Sequence, residues 1–173
     1  MKLVKPTVAH QDILKSYVDE MIKHQDSCHG CGSIEKYEHY EDWLKHLDLY
    51  AVKALIPKDS NYVEGSQYFL YDESRNLVIG MVNIRHELND YLKKYGGHIG
   101  YSIRPSERQK GYAKLQLRLA LDILKSKGVF QALITCNQDN IPSRKTILAC
   151  GGIEDDPSIE DDGTVIQRFW IQL

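Results

Sequence analysis

The sequence predicts a mixed α+β fold: a central, mostly antiparallel sheet with helices on both faces. Three observations carry that prediction. Two amphipathic helical segments precede a pair of strands joined by a polar turn. A further strand runs through a short loop into a long apolar-rich helix, which stops at another apolar strand. The chain then closes on two strand-like segments that flank an acidic turn.

Taken in order, Leu3–Lys5 reads as a short first strand ended by Pro6. From Val8 to His24, Ile13, Leu14, Tyr17, Val18, Met21 and Ile22 fall on one half of a helical wheel and the charged residues on the other. Gln25–Ser33 is a polar, glycine-containing loop, and a second helix is expected over Ile34–Leu47. Ser66–Tyr71 and Leu77–Arg85, joined by Asp72–Asn76, read as a hairpin. Ile99–Ile103 is the next strand. The helix beyond it carries leucines over so wide an arc that it must pack on two sides, and Lys127-Gly128 stops it. Val129–Cys136 is then a buried strand, and strand–helix–strand implies a parallel pair with a right-handed crossover. Ile153–Asp156 and Thr164–Leu173 form a closing antiparallel hairpin.

The length, 173 residues, suits a single domain over residues 1–173. With 22 basic and 24 acidic residues the net charge is −2, so no global field favours nucleic acid or an anionic membrane. No apolar run approaches the ~20 residues of a membrane span. The first six residues lack the apolar core of a signal peptide. A cytoplasmic protein with four reduced cysteines is therefore expected.

The most informative stretch is Ile99-Gly100-Tyr101-Ser102-Ile103, then Arg104–Glu107, then Arg108-Gln109-Lys110-Gly111-Tyr112-Ala113. A strand that turns through small residues into a helix start aims several unpaired N–H groups, and the positive end of the helix dipole, at one point. Gly111 and Ala113 let an anion approach the backbone, and Arg108 and Lys110 add charge. That combination predicts a diphosphate-bearing ligand.

Arg108-x-x-Gly111-x-Ala113 resembles the pyrophosphate loop of the GNAT superfamily, the acyl-CoA-dependent N-acyltransferases. Downstream, a strand followed by Asn140-x-x-Ser143, a helix and Gly151-Gly152 resembles that family's second block. Asn83–Asn89 and Gly96–Tyr101 are similar to a bacterial subgroup of predicted acetyltransferases, and the resemblance spans roughly residues 50–173. It implies a fold in which two neighbouring parallel strands splay apart to admit the CoA arm. It also implies acetyl-CoA as donor, a primary amine on a small molecule or peptide as acceptor, direct transfer without a metal, and a homodimer.

The resemblance further implies site residues. The strand around Ile103 would hold the pantetheine arm, Arg108, Gln109, Lys110, Gly111, Tyr112 and Ala113 the pyrophosphate, and Asn140 with Ser143 the arm between the splayed strands. Asn140 has a second reading as the cap of the following helix. The tyrosine that the family often places seven residues after this Asn is Ile147 here. Tyr101, Cys136, Ser143 or water would stand in as the acid. The same substitution supports an alternative, a non-catalytic acyl-CoA-binding regulatory domain. Candidate bases are His86, Glu87, His98 and Tyr101, of which His98, Glu87 and Tyr101 are retained as catalytic candidates. His98 has a competing structural reading, a strand-end histidine bonded to a backbone carbonyl.

His24-x3-Cys28-His29-Gly30-Cys31 has the spacing of half a zinc site or a redox dithiol, but no second ligand pair follows. It is expected to be a loop bordering the acceptor pocket. Cys136 and Cys150 are expected to be small buried hydrophobes.

Overall fold

The computed structural model describes all 173 residues. Strand β1 (Lys2–Val4) leads through a 3-10 turn, Val8–His10, into helix α1 (Gln11–Lys23). Helix α2 is Tyr40–Tyr50, β2 Gly65–Asp72, β3 Leu77–Arg85 and β4 Ile99–Ile103. Then come α3 (Tyr112–Ser126), β5 (Gln131–Asn137), α4 (Ile141–Ala149), β6 (Ile153–Ile159) and β7 (Val165–Gln172).

The strands form two antiparallel sheets, β1-β2-β3-β4 and β5-β7-β6. Strand alternation separates two cores. One face of the first sheet, through Phe69, Val78 and Met81, packs on Leu14, Tyr17 and Met21 of α1 and Trp43 of α2. The other face, through Val82, Ile84 and Ile99, packs on Leu117, Ala120, Leu121 and Leu124 of α3. Ile134 of β5, Phe169 of β7 and Ile147 of α4 complete that second core, so α3 is covered on two sides. No helix is long and apolar enough to cross a membrane.

One expectation needs correction. The second helix is not continuous from Ile34: Ile34–Lys36 is a 3-10 turn, and Tyr37 and His39 are extended before α2 begins at Tyr40. The break lets Tyr40 and Trp43 reach inward. The Tyr40 hydroxyl donates to Thr7 O at 2.9 Å, and Trp43 Nε1 donates to Gly32 O at 2.9 Å. A buried indole N–H needs such a partner, and the need outweighs helical periodicity.

The pair of β4 and β5 is splayed, as the resemblance implies. The two strands meet at one rung, where His98 N donates to Leu133 O at 2.7 Å and Leu133 N donates to His98 Nδ1 at 2.9 Å. Past that rung β4 pairs only with β3, and β5 only with β7. The central sheet is therefore split into two, and the divergence opens a gap between β4 and β5.

Candidate active site

The loop between β4 and α3 is shaped by two residues in the left-handed region, Gln109 at φ 62° and Gly111 at φ 83°. The N–H groups of Gln109, Lys110 and Gly111 make no hydrogen bond, and the first turn of α3 adds unpaired donors. A Cβ built on Gly111 meets nothing within 4 Å. The result is a concave, open array of donors at the positive end of a 15-residue helix, suited to a diphosphate.

A charge network holds this loop. Arg75 bridges Asp72 at 2.6 Å and the buried Glu107 at 2.9 Å. The Glu20 carboxylate accepts from Ser106 N at 2.8 Å and from Arg104 Nη1 at 3.1 Å. Lys110, expected at the phosphate, turns back to Glu107 at 3.1 Å and Ser106 O at 3.0 Å. Its ammonium and the Arg75 guanidinium keep the Glu107 carboxyl below the usual carboxylate range. Arg108 donates from Nε to Ile103 O at 3.1 Å and pairs through Nη1 with Asp26 at 3.0 Å.

Asp26 belongs to the wall of a cavity of about 620 Å³ on the α1–α2 face of the first sheet. Gly65, Gln67, Asn83 and Arg85 of β2 and β3 line its floor, the 26–33 loop one wall, and His46, Tyr50 and Tyr62 another. Gln67 Nε2 donates to Gly30 O at 2.7 Å, and Ser102 Oγ donates to His29 O at 2.5 Å. Gly30 (φ 75°) sits so close to Gly100 of β4 that any Cβ would collide with the Gly100 carbonyl. The Cys28–Cys31 loop is thus clamped on β4, and the Arg85 guanidinium lies over the same side of Gly100.

On the opposite face of β4, Tyr101 reaches into the gap and its hydroxyl lies 3.1 Å from Ser143 Oγ. Burial pushes the Tyr101 phenol up to about 12, against a smaller opposing effect of the Ser143 hydrogen bond. Burial also raises the Cys136 thiol. Two residues expected as stand-ins for the missing acid, Tyr101 and Ser143, therefore converge. Ile147 is wholly buried in the core instead.

The remaining expected site residues do not converge on the cavity. Asn140 Oδ1 accepts from Ser143 N at 3.1 Å and so caps α4, which is the second of its two readings. His98 is 6% exposed, and burial pushes its imidazole down to about 4. Its Nδ1 lone pair accepts from Leu133 N, so at neutral pH the ring has no free basic nitrogen: Nε2 carries the proton. A general-base role is corrected to a strut between β4 and β5. Glu87 is exposed and pairs with Lys53 at 2.6 Å. His86 lies between Ser66 Oγ at 3.0 Å and Glu64 Oε1 at 3.2 Å. Arg85 donates to Gly96 O and Gly97 O. His24 does not join Cys28 and Cys31, and no three His, Cys, Asp or Glu side chains converge to hold a metal.

Asp26, Gln67 and Asn83 were not singled out from the sequence. Gln67 had a usable signal, a polar residue on the face of β2 that also carries Phe69. Asp26, in a loop without periodicity, had none.

The Acetyltransferase (GNAT) domain family matches residues 6–153. No curated protein matches the sequence at a significant level. Among solved structures, the fold is similar to RimL, a ribosomal L7/L12 alpha-N-protein acetyltransferase in complex with coenzyme A held as a disulfide to a cysteine. The TM-score there is 0.71 at 14% identity, covering 99% of this chain and 93% of that one. A ribosomal-protein-S5-alanine acetyltransferase from Vibrio fischeri gives 0.69 at 15% identity, covering 99% and 91%. A variant of the spermidine N-acetyltransferase SpeG from Vibrio cholerae gives 0.66 at 14% identity, covering 99% and 95%. With 148 residues inside the family match, on a split sheet with an open array of backbone donors at the start of α3, the chain belongs to the GNAT acetyltransferase family, enzymes that take their acetyl group from acetyl-CoA.

Proposed function

We propose that this enzyme transfers the acetyl group to a primary amine seated in the 620 Å³ cavity, by direct attack and without a metal. The observation that carries the reading is the position of β4. One of its faces, at Gly100, lies at the cavity, and the other, at Tyr101, faces the gap beside Ser143. Its end, at Ile103, leads into the diphosphate loop.

Bound acetyl-CoA supplies an activated acetyl thioester. The N–H groups of Gln109–Gly111 and the first turn of α3 would hold its diphosphate, with Arg108 beside them. The β4 backbone would orient the arm in the gap. Tyr101, partnered by Ser143, would donate a proton to the departing sulfur, the role that Ile147 cannot fill. Asp26 and Glu35 in the cavity wall favour a cationic amine over an anionic acceptor. Holding amine and thioester together supplies a large share of the rate, so no single side chain carries it.

Calorimetric titration with acetyl-CoA, with desulfo-CoA and ATP as controls, tests the donor side. Micromolar binding of acetyl-CoA but not ATP is expected, followed by amine-dependent thiol release in an acceptor screen. Folded protein that binds no acetyl-CoA would discard the proposal.

A further inference from the structure

Cys28 and Cys31 take no part in the transfer, yet they are built into the cavity wall. Their turn is closed by Cys31 N donating to Cys28 O at 3.2 Å. The Cys31 sulfur lies inside that turn, 3.9 Å from His29 O. Their environments are unequal. Cys31 is 0% exposed, its sulfur 3.7 Å from Ser102 Oγ, whereas Cys28 is half-buried and borders the cavity. The neighbouring Cys31 side chain holds the Cys28 thiol below its ordinary range, against burial, Glu35 and Asp26. Cys136 and Cys150 belong to the core on the other face of the first sheet.

From this geometry we propose that Cys28 and Cys31 form a reversible redox site, at which a low-molecular-weight disulfide converts the dithiol to an intramolecular disulfide and remodels the cavity wall. The Cys28 thiolate attacks one sulfur of the small disulfide, whose S–S bond breaks and releases a thiolate. Cys31, giving its proton to solvent, then attacks the Cys28 sulfur. The protein disulfide forms and the second small thiolate leaves. Two protein thiols are oxidised, one small disulfide is reduced to two thiols, and the protons balance. Forming the bond fixes the separation of residues 28 and 31, whose loop is tied to Trp43 by the hydrogen bond to Gly32 O. Trp43 therefore reports on the loop.

The test uses the full chain with oxidised glutathione, acid quenching, alkylation under denaturing conditions and peptide mapping. Alkylatable thiols are expected to fall from four to two, with the loss confined to the peptide holding Cys28 and Cys31, and dithiothreitol should restore them. In Cys31→Ser, Cys28 should stop at a glutathione adduct. In Cys28→Ser, the buried Cys31 should stay reduced. In a Trp170→Phe background, where Trp43 is the only indole, emission should change on oxidation and recover on reduction. Four thiols surviving, earlier reaction at Cys136 or Cys150, or a persistent glutathione adduct on Cys28 of the unaltered chain would overturn the site. An unmoved Trp43 spectrum on the oxidised chain would overturn the remodelling. None of these readouts uses acetyl transfer, so this inference and the proposed function fail separately.

Discussion

The Tyr101 hydroxyl and the Ser143 hydroxyl lie 3.1 Å apart across the gap, one on β4 and the other on the first turn of α4. The pair stands where the family's usual tyrosine is missing, since Ile147 one turn further along α4 points into the core. A neutral phenol at pH 7 is a proton donor, and burial keeps Tyr101 neutral.

Tyr101→Phe should therefore lower kcat by ~10²-fold, the lower end of the range for a positioned acid, with KM for acetyl-CoA changed little. Ser143→Ala should have a smaller effect in the same direction. Steady-state thiol release measures both. A kcat that survives Tyr101→Phe would move the proton donor to water.

Gly111 holds φ 83° in open space. Gly111→Val creates no clash within the protein, but it strains the left-handed backbone by ~1–2 kcal/mol and fills the anion's approach. The acetyl-CoA dissociation constant should rise ~10-fold or more. Calorimetry decides, and an unchanged constant would remove the loop from the site.

Arg108 bridges the loop and the cavity through Ile103 O and Asp26. Arg108→Ala should weaken acetyl-CoA by ~1–2 kcal/mol, the range of a hydrogen bond to a charged group. Asp26→Asn should instead tighten it, because the guanidinium loses a competing carboxylate. Equal losses in both variants would mean that the pair acts only as a structural link.

His98 makes a prediction for stability. Its imidazole is lowered to about 4 in the folded chain, against an ordinary value near 6.5. The unfolded chain thus binds more protons between those values, so His98's contribution is full above ~6.5 and declines as pH falls toward 4. Between pH 7 and pH 5 the loss should be on the order of 1–2 kcal/mol. His98→Asn should flatten that part of the thermal-unfolding profile, while His98→Ala, which orphans Leu133 N, should cost ~1–3 kcal/mol at pH 7. A wild-type Tm with the same pH slope as His98→Asn would refute the assignment.

The order of elements was legible from the chain itself. Periodicity gave α1 and the wide apolar arc of α3, and the polar turns gave both hairpins, because these patterns record which side of an element is buried. The shape of the loop before α3 was legible for a related reason: its small residues and the helix start are local along the chain. What side chains do across the fold was not local. Lys110 has the same charge whether it faces a phosphate or Glu107, and only the placement of Glu107 beside Arg75 decided it. His98 suits a base by its intrinsic pKa, but burial and Leu133 N took that role away. The break before α2 followed from the Trp43 indole seeking Gly32 O, a partner eleven residues away that helical periodicity ignores. Sequence by itself determined the elements, their order and the small-residue loop that opens α3, whose causes lie within a few residues. Tertiary structure decided the splayed gap, the cavity and the partners of Tyr101, because burial and hydrogen-bond satisfaction depend on groups that meet only when the chain is folded.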